Sequence, residues 1–217
     1  MLTFRNIELE EINRSLFGHF IRRQEVVKCW RHEKGEWVIR DDPFTDDWSE
    51  EDYAVLIGCL KNTVKTGGFV YGAFRDGELK GFVSVEPGLF GGEQRYIDLS
   101  SIHVSEEMRG SGIGRTLFEA AKGWAKKQGA RKLYISAHSA VESQAFYKKM
   151  GCREAELYHQ GLFFGGKCRM QPAVDRLKAP NGRRKPGFCI SYEYPARQGG
   201  KKTIPHLCRG SRGRQSI

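Results

Sequence analysis

Three observations predict a mixed α/β domain. Asp76-Gly77, the dipeptide of a tight primed turn, stands between two β-rich runs, residues 69–74 and 79–85, and predicts an antiparallel hairpin. A further strand-like run, residues 95–105, leads through Arg109-Gly110-Ser111-Gly112-Ile113-Gly114 into an amphipathic helix with Ile113, Leu117, Ala121 and Trp124 on one face. A third run, residues 132–138, reads as a strand and is followed by a helix over 140–150 that Gly151 caps.

Taken in order, the chain begins with a strand over residues 2–7, then helical sequence from Glu8 to Trp30. Trp37-Val38-Ile39 is a short apolar segment, and residues 41–52 read as an acidic loop bearing aromatics. Ser49 is placed to cap a helix over 49–66, with Glu50, Glu51 and Asp52 in the first turn, where carboxylates meet the positive end of the helix dipole. Gly67-Gly68 stops it. After the hairpin, residues 87–92 form a loop and 96–104 the next strand. On the helix after the glycine-rich loop, Lys122, Lys126 and Lys127 are expected to be solvated surface. Residues 154–158 are the next strand expected. Beyond them glycine, arginine and proline rise, and apolar patterning survives only at 161–164 and 188–194, either of which is able to supply a last strand. The composition breaks there as abruptly as at a shifted reading frame. Residues 178–185 and 197–217 read as disordered.

The expected organisation is therefore a core over residues 1–158, final strand material within 159–194, and a basic tail over 195–217. The net charge of +10 belongs to the end of the chain: residues 1–158 carry 23 Lys and Arg against 24 Asp and Glu, whereas 159–217 carry 13 against 2. Such a tail has the charge to bind polyanions, but few aromatics interleave its cations, so a nucleic-acid partner is not expected. No apolar run approaches the roughly 18 residues of a membrane span. With no basic-then-apolar leader after Met1, a cytoplasmic location is the expectation. The six cysteines are scattered without a C-x-x-C pair, which suggests free thiols and no metal site.

The loop at 109–114 carries the chemistry. Residues without a Cβ let successive backbone amides turn around one point, and the helix that follows adds its unpaired N–H groups and positive end. A phosphate or diphosphate is the natural guest. No Lys-Ser or Lys-Thr closes the loop as triphosphate binding requires, and no third glycine completes a dinucleotide fingerprint. What remains, Arg-x-x-Gly-x-Gly after a strand and before a helix, resembles the diphosphate loop of the GCN5-related N-acetyltransferase (GNAT) superfamily. The helix bearing Phe146-Tyr147 and ending at Gly151 is similar to that superfamily's second signature, at the expected separation.

The resemblance implies a GNAT fold, α/β or α+β: a mixed central sheet of about six to seven strands, about four flanking helices, and a splayed strand pair that takes the cosubstrate, acetyl-CoA. It implies an enzyme that moves an acetyl group to a primary amine by direct attack in a ternary complex. Carried onto this sequence, it assigns Arg109, Gly110, Ser111, Gly112, Ile113, Gly114 and Arg115 to the diphosphate, and Ile102, His103 and Val104 to the pantetheine arm. The Ile102 amide would face the acetyl carbonyl, where one such donor contributes about 3 to 4 kcal/mol to an oxyanion. Tyr147 matches the general acid that protonates the leaving thiolate. For the base, Asp98 is the first candidate, four residues before Ile102 and so on its face in a regular strand; Glu86 is the second, and His103 and His138 remain open. An asparagine that many members carry before the Phe-Tyr helix is replaced, with Ser139 and Ser143 the nearest polar residues.

Acceptor choice in this superfamily lies mainly in the N-terminal segment. Here Trp30, Trp37, Phe44 and Trp48 interleave with Asp41, Asp42, Asp46, Asp47, Glu50, Glu51 and Asp52, a set that would attract a cationic amine. A small cationic acceptor is therefore expected, with Asp46 and Asp47 contributing to its binding. A protein or peptide acetyltransferase and a non-catalytic CoA-binding or RNA-binding protein are the alternatives. Homodimers are common in the resembled superfamily.

Overall fold

The structure, a computed structural model, describes residues 1–156 and 188–194. Seven strands form one sheet in the order β1 (Leu2–Asn6), β4 (Phe69–Arg75), β5 (Glu78–Phe90), β6 (Tyr96–Val104), β7 (Lys132–Ala137), β9 (Phe188–Glu193), β8 (Arg153–Glu154). Every neighbouring pair is antiparallel except β6 and β7. A separate two-stranded sheet pairs β2 (Arg23–Glu33) with β3 (Glu36–Asp47). The helices are α1 (Glu50–Lys65), α2 (Ile113–Lys127) and α3 (Val141–Lys149).

The strongest local signals are realised. Asp76 and Gly77 turn β4 into β5 with φ of 53° and 87°. Ser49 accepts from the Asp52 amide, and the Asp52 carboxylate reaches back to the Ser49 amide at 3.0 Å, a capping box that fixes where α1 starts. The apolar face of α2, Ile113, Leu117, Phe118, Ala121 and Ala125, is buried on the sheet against Val83, Val85, Ile97, Leu99, Leu133 and Ile135. On the opposite face, Leu56 and Leu60 of α1 and Phe17 and Phe20 from the N-terminal segment cover Val70, Phe74, Leu79 and Phe82.

Four expectations are corrected. Residues 8–30 are not a helix: two short 3-10 turns, Leu9–Glu11 and Arg14–Phe17, precede the long strand β2, which is why the described residues hold three α-helices rather than about four. The acidic segment 41–52 is not a loop but mostly β3, whose Pro43 falls where the register with β2 shifts and no ladder donor is required. Residues 87–90 continue β5 past another irregularity, between Val85 and Leu89. Lys122 is not free surface: its Nζ lies 4.1 Å from the Tyr192 ring centroid, and its carbonyl accepts from the Tyr194 hydroxyl at 2.7 Å.

Those tyrosines belong to the end of the described chain. Of the two candidate segments, 188–194 supplies the strand: β9 enters between β7 and β8, pairing all six residues of β7 from Lys132 to Ala137. A segment translated in a foreign frame has no reason to place Ile190, 3% exposed, into this core. β8 is shorter than expected, Arg153–Glu154. The segment 161–164 and the tail 195–217 lie outside the described residues.

Candidate active site

β6 and β7 run parallel and pair only over Tyr96–Asp98 with Lys132–Tyr134, then part. The resulting cleft opens at the carboxyl ends of both strands, and a cavity of about 1020 Å³ fills it, lined by residues 99–104 of β6 and by Ile135, Ser136 and His138 on the other side. The parting expected of the strand ending at Ser105 is therefore present, and it leaves main-chain polar groups along the cavity.

At one end of the cavity lies the glycine loop. Gly110 and Gly112 hold φ of 80° and 89°, left-handed conformations that favour glycine, and a Cβ at either would meet no atom within 4 Å. Gly112 caps α2 without any side chain, and the first helix-closing bond is Thr116 N–H to the Gly112 carbonyl, 3.2 Å. The amides of the turn before it are those a helix leaves without internal partners. A diphosphate fits this arrangement: an anion meets backbone donors and the positive helix end with no side chain in the way. Gly114 serves packing, since a Cβ there would stand 3.3 Å from the Phe146 ring of α3. Arg109 fixes the loop, donating through Nη2 to the Arg23 carbonyl at 2.5 Å.

Of the residues assigned from sequence, Ile102, His103, Val104, Arg109, Gly110, Gly112, Ile113, Gly114, Arg115, Ser143 and Tyr147 all line this cavity. Ser111 does not; its hydroxyl donates to the Met108 carbonyl. Ser139, the other stand-in for the missing asparagine, accepts from Arg31 Nη1 at 2.7 Å and so holds β2. Tyr147 is 9% exposed, and burial raises its phenol well above the ordinary value, so it stays protonated at neutral pH.

Neither carboxylate candidate for the base lines the cavity. Glu86 accepts from Thr63 at 2.8 Å. Asp98 is 4% exposed and does not share a face with Ile102: Val85 pairs with Leu99 and Ser84 with Ser101, so Ser100 is an extra residue that reverses the alternation. Leu99 and Ile102 accordingly meet the same core, which puts Asp98 on the other side of the strand.

The cavity is also walled by residues the sequence reading missed, Arg22, Gln24, Glu25 and Glu142, together with Asp46 and Trp48. Arg22, 8% exposed, and Asp46, 2% exposed, form a buried ion pair. Trp48 stacks beside Phe20 and meets His103 edge-on, with ring centroids 4.7 Å apart. The first three escaped notice because a helix reading of 8–30 scatters them around a cylinder, whereas the extended chain brings them to one wall. Much of the acidic cluster is neutralised: Asp42 by Arg31, Glu50 by Arg14, Asp46 by Arg22. Among Trp30, Trp37, Phe44 and Trp48, Trp48 alone lines the cavity.

The two histidines are neutral at pH 7. Burial, with the nearby Arg22 and Arg109 charges, holds His103 well below the usual imidazole range, and burial lowers His138 to about 4. His138 Nδ1 accepts from the Ala140 amide at 3.0 Å, which places the ring proton on Nε2 and leaves no free lone pair to take a proton. Between about pH 6.5 and 4 the unfolded chain binds a proton at residue 138 that the folded chain refuses, so stability falls as pH drops through that window. Urea melts at pH 7 and pH 4.5 are expected to show a loss that His138→Gln reduces by about 2 kcal/mol; equal losses in both proteins would contradict the assignment.

A strand pair parted above an open helix N-terminus, in a sheet otherwise antiparallel, defines a domain built to admit a phosphate-bearing cosubstrate through its middle. Residues 34–152 match the model of the acetyltransferase (GNAT) family, and the chain belongs to that family. It is accordingly an acetyl-CoA-dependent N-acetyltransferase. Among solved structures it is similar to nourseothricin acetyltransferase, at 19% identity and TM-score 0.59 over 89% of this chain and 99% of that one. A putative streptothricin acetyltransferase from Bacillus anthracis str. Ames, in complex with acetyl coenzyme A, is similar at 18% identity and TM-score 0.60 over 89% and 100%. The ribosomal-protein-S18-alanine N-acetyltransferase from Escherichia coli is similar at 15% identity and TM-score 0.52 over 94% and 99%. At these identities the likeness is one of fold. No curated protein matches the sequence. No helix of the described residues is long and apolar enough to cross a membrane, and no cluster among them suits a metal ion.

Proposed function

We propose that the chain acetylates a small cationic amine by direct attack, with both substrates bound at once. The observation that supports this is the continuity of one cavity from Gly110 and Gly112, through the parting of β6 and β7, to Asp46 and Trp48. The loop amides hold the diphosphate, and main-chain groups of Ile102 and Val104 align the pantetheine arm. The Ile102 amide donates to the acetyl oxygen as it gains charge. Tyr147 donates its proton to the departing sulfur. Glu25 and Glu142 give the acceptor end carboxylates for a cation, Asp46 being held by Arg22, while Asp98 and Glu86, outside the cavity wall, take a proton from the amine only by a water relay.

Release of free thiol from acetyl-CoA, measured across small polyamines, aminoglycoside-like amines, amino-acid derivatives and lysine-bearing peptides, tests the reading. Turnover is expected on small amines, with intersecting initial-rate plots. Parallel plots would refute direct attack, and a preference for peptides would refute the small acceptor.

A further inference from the structure

Arg22 and Arg109 are the fixed positive charges beside His103, which like His138 is neutral, and Arg22 stands with Asp46 and Trp48 in the part of the cavity proposed for the acceptor. The Arg22 side chain is 8% exposed. Nη2 is bound to Asp46, and the Trp48 indole takes one face at 5.2 Å to the ring centroid. Nε and Nη1 are buried and make no hydrogen bond to any described residue. Buried guanidinium donors are ordinarily satisfied, because a charged N–H removed from water without a partner is costly. An indole face cannot serve them, for they lie in the guanidinium plane and need an acceptor oxygen.

We propose that Arg22 binds an anionic oxygen of the acceptor, which makes the acceptor a zwitterion of the amino-acid type, an amine that also carries a carboxylate, and not a plain polyamine. The proposal rests on the small-amine reading above and narrows it. The two signs of charge are available in the same region: Glu25 and Glu142 line the cavity without neutralising Arg22, whose one ionic partner among the described residues is Asp46. An all-cationic ligand would set its charge against the guanidinium and leave Nε and Nη1 unmatched. Both donors are closed off from water, so a carboxylate accepts from them by charge-assisted bonds as the guanidinium turns toward the cavity.

The test uses the full chain with saturating acetyl-CoA and matched triplets: a series of α-amino acids, their α-amides and the corresponding decarboxylated amines, lysine, lysinamide and cadaverine among them. Both kcat/KM by thiol release and Kd by calorimetry on the CoA-saturated protein are read. The carboxylate member of at least one triplet is expected to be preferred by about 10- to 100-fold over its amide, the size of one hydrogen-bonded charge contact. Arg22→Lys, which keeps a cation opposite Asp46 but loses the planar donors, should cut that preference to a few-fold. The neutral pair Arg22→Gln with Asp46→Asn should abolish it, with circular dichroism melts confirming that each variant folds. Equal use of acid and amide, preference for the decarboxylated amine, an unchanged ratio in the variants, or no carboxylate ligand bound at all would each overturn the proposal. Failure of the underlying enzyme reading is separately visible, because acetyl-CoA binding is measured before any acceptor is added.

Discussion

Truncation after Met170 is expected to unfold the protein. The lost segment includes β9, which is not an edge appendage: it lies between β7 and β8 and forms the whole outer ladder of β7. Its side chains are structural. Ile190 is buried in the main core, Tyr192 packs edge-on against Phe118 of α2, and the Tyr194 hydroxyl donates to the Lys122 carbonyl. Burying one large apolar side chain contributes about 1.5 to 3 kcal/mol, so the three together supply about 5 kcal/mol before the ladder is counted. That approaches the whole of a stability of about 5 to 15 kcal/mol. A circular dichroism melt of the shortened chain should show no cooperative transition, whereas a chain ending at Tyr194 should melt like the full-length protein. A sharp, near-native transition after truncation at Met170 would remove β9 from the fold.

Tyr147→Phe carries the largest expected loss of activity, a fall in kcat of about 100-fold or more, in the range one positioned acid contributes. Removing only the hydroxyl leaves the ring, and its edge contacts with Phe118 and Phe146 remain. The melting temperature and the affinity for acetyl-CoA should therefore barely move. Because burial raises the phenol above its ordinary value, the proton stays on through neutral pH, and no loss of rate attributable to Tyr147 should be seen below about pH 10. If the variant keeps more than half of wild-type kcat at saturation, the departing sulfur draws its proton from another source.

The parts legible in the sequence are those whose code is local. Asp76-Gly77 needs nothing beyond its own dihedrals to turn, Ser49 and Asp52 cap α1 between themselves, and residues 109–114 make their cradle from their own backbone. The misreadings share one physical cause, irregularity in a strand. In β2 the two buried residues, Val26 and Cys29, stand three apart beside a register shift, and that is the spacing of a helix face. The extra residue Ser100 moved Asp98 to the wrong side of β6, and the irregularity after Val85 disguised the end of β5 as a loop. Periodicity assumes a regular ladder, and a bulge breaks it where a binding site needs the chain redirected. The place of β9 was hidden for a different reason: more than thirty residues separate it from β8, and no local pattern states which strands it joins.

The β2–β3 pair is a sheet of its own, joined to the rest of the molecule by Trp30 N–H on the Ser139 carbonyl, Arg31 on the Ser139 hydroxyl, Arg109 on the Arg23 carbonyl, Trp37 on Glu154, and the packing of Val26, Cys29 and Phe44 against Ala140. Arg22, Gln24, Glu25 and Asp46 lie on or directly beside that pair, and Trp48 just after it, whereas the groups assigned to the thioester carrier sit on β6, α2 and α3. On the proposed reading, selectivity and chemistry then lie largely in different pieces of one chain, which meet where Arg109 binds the Arg23 carbonyl. Exchange of residues 22–48 between distant homologues should carry the choice of amine with it and leave the transfer machinery of the host in place.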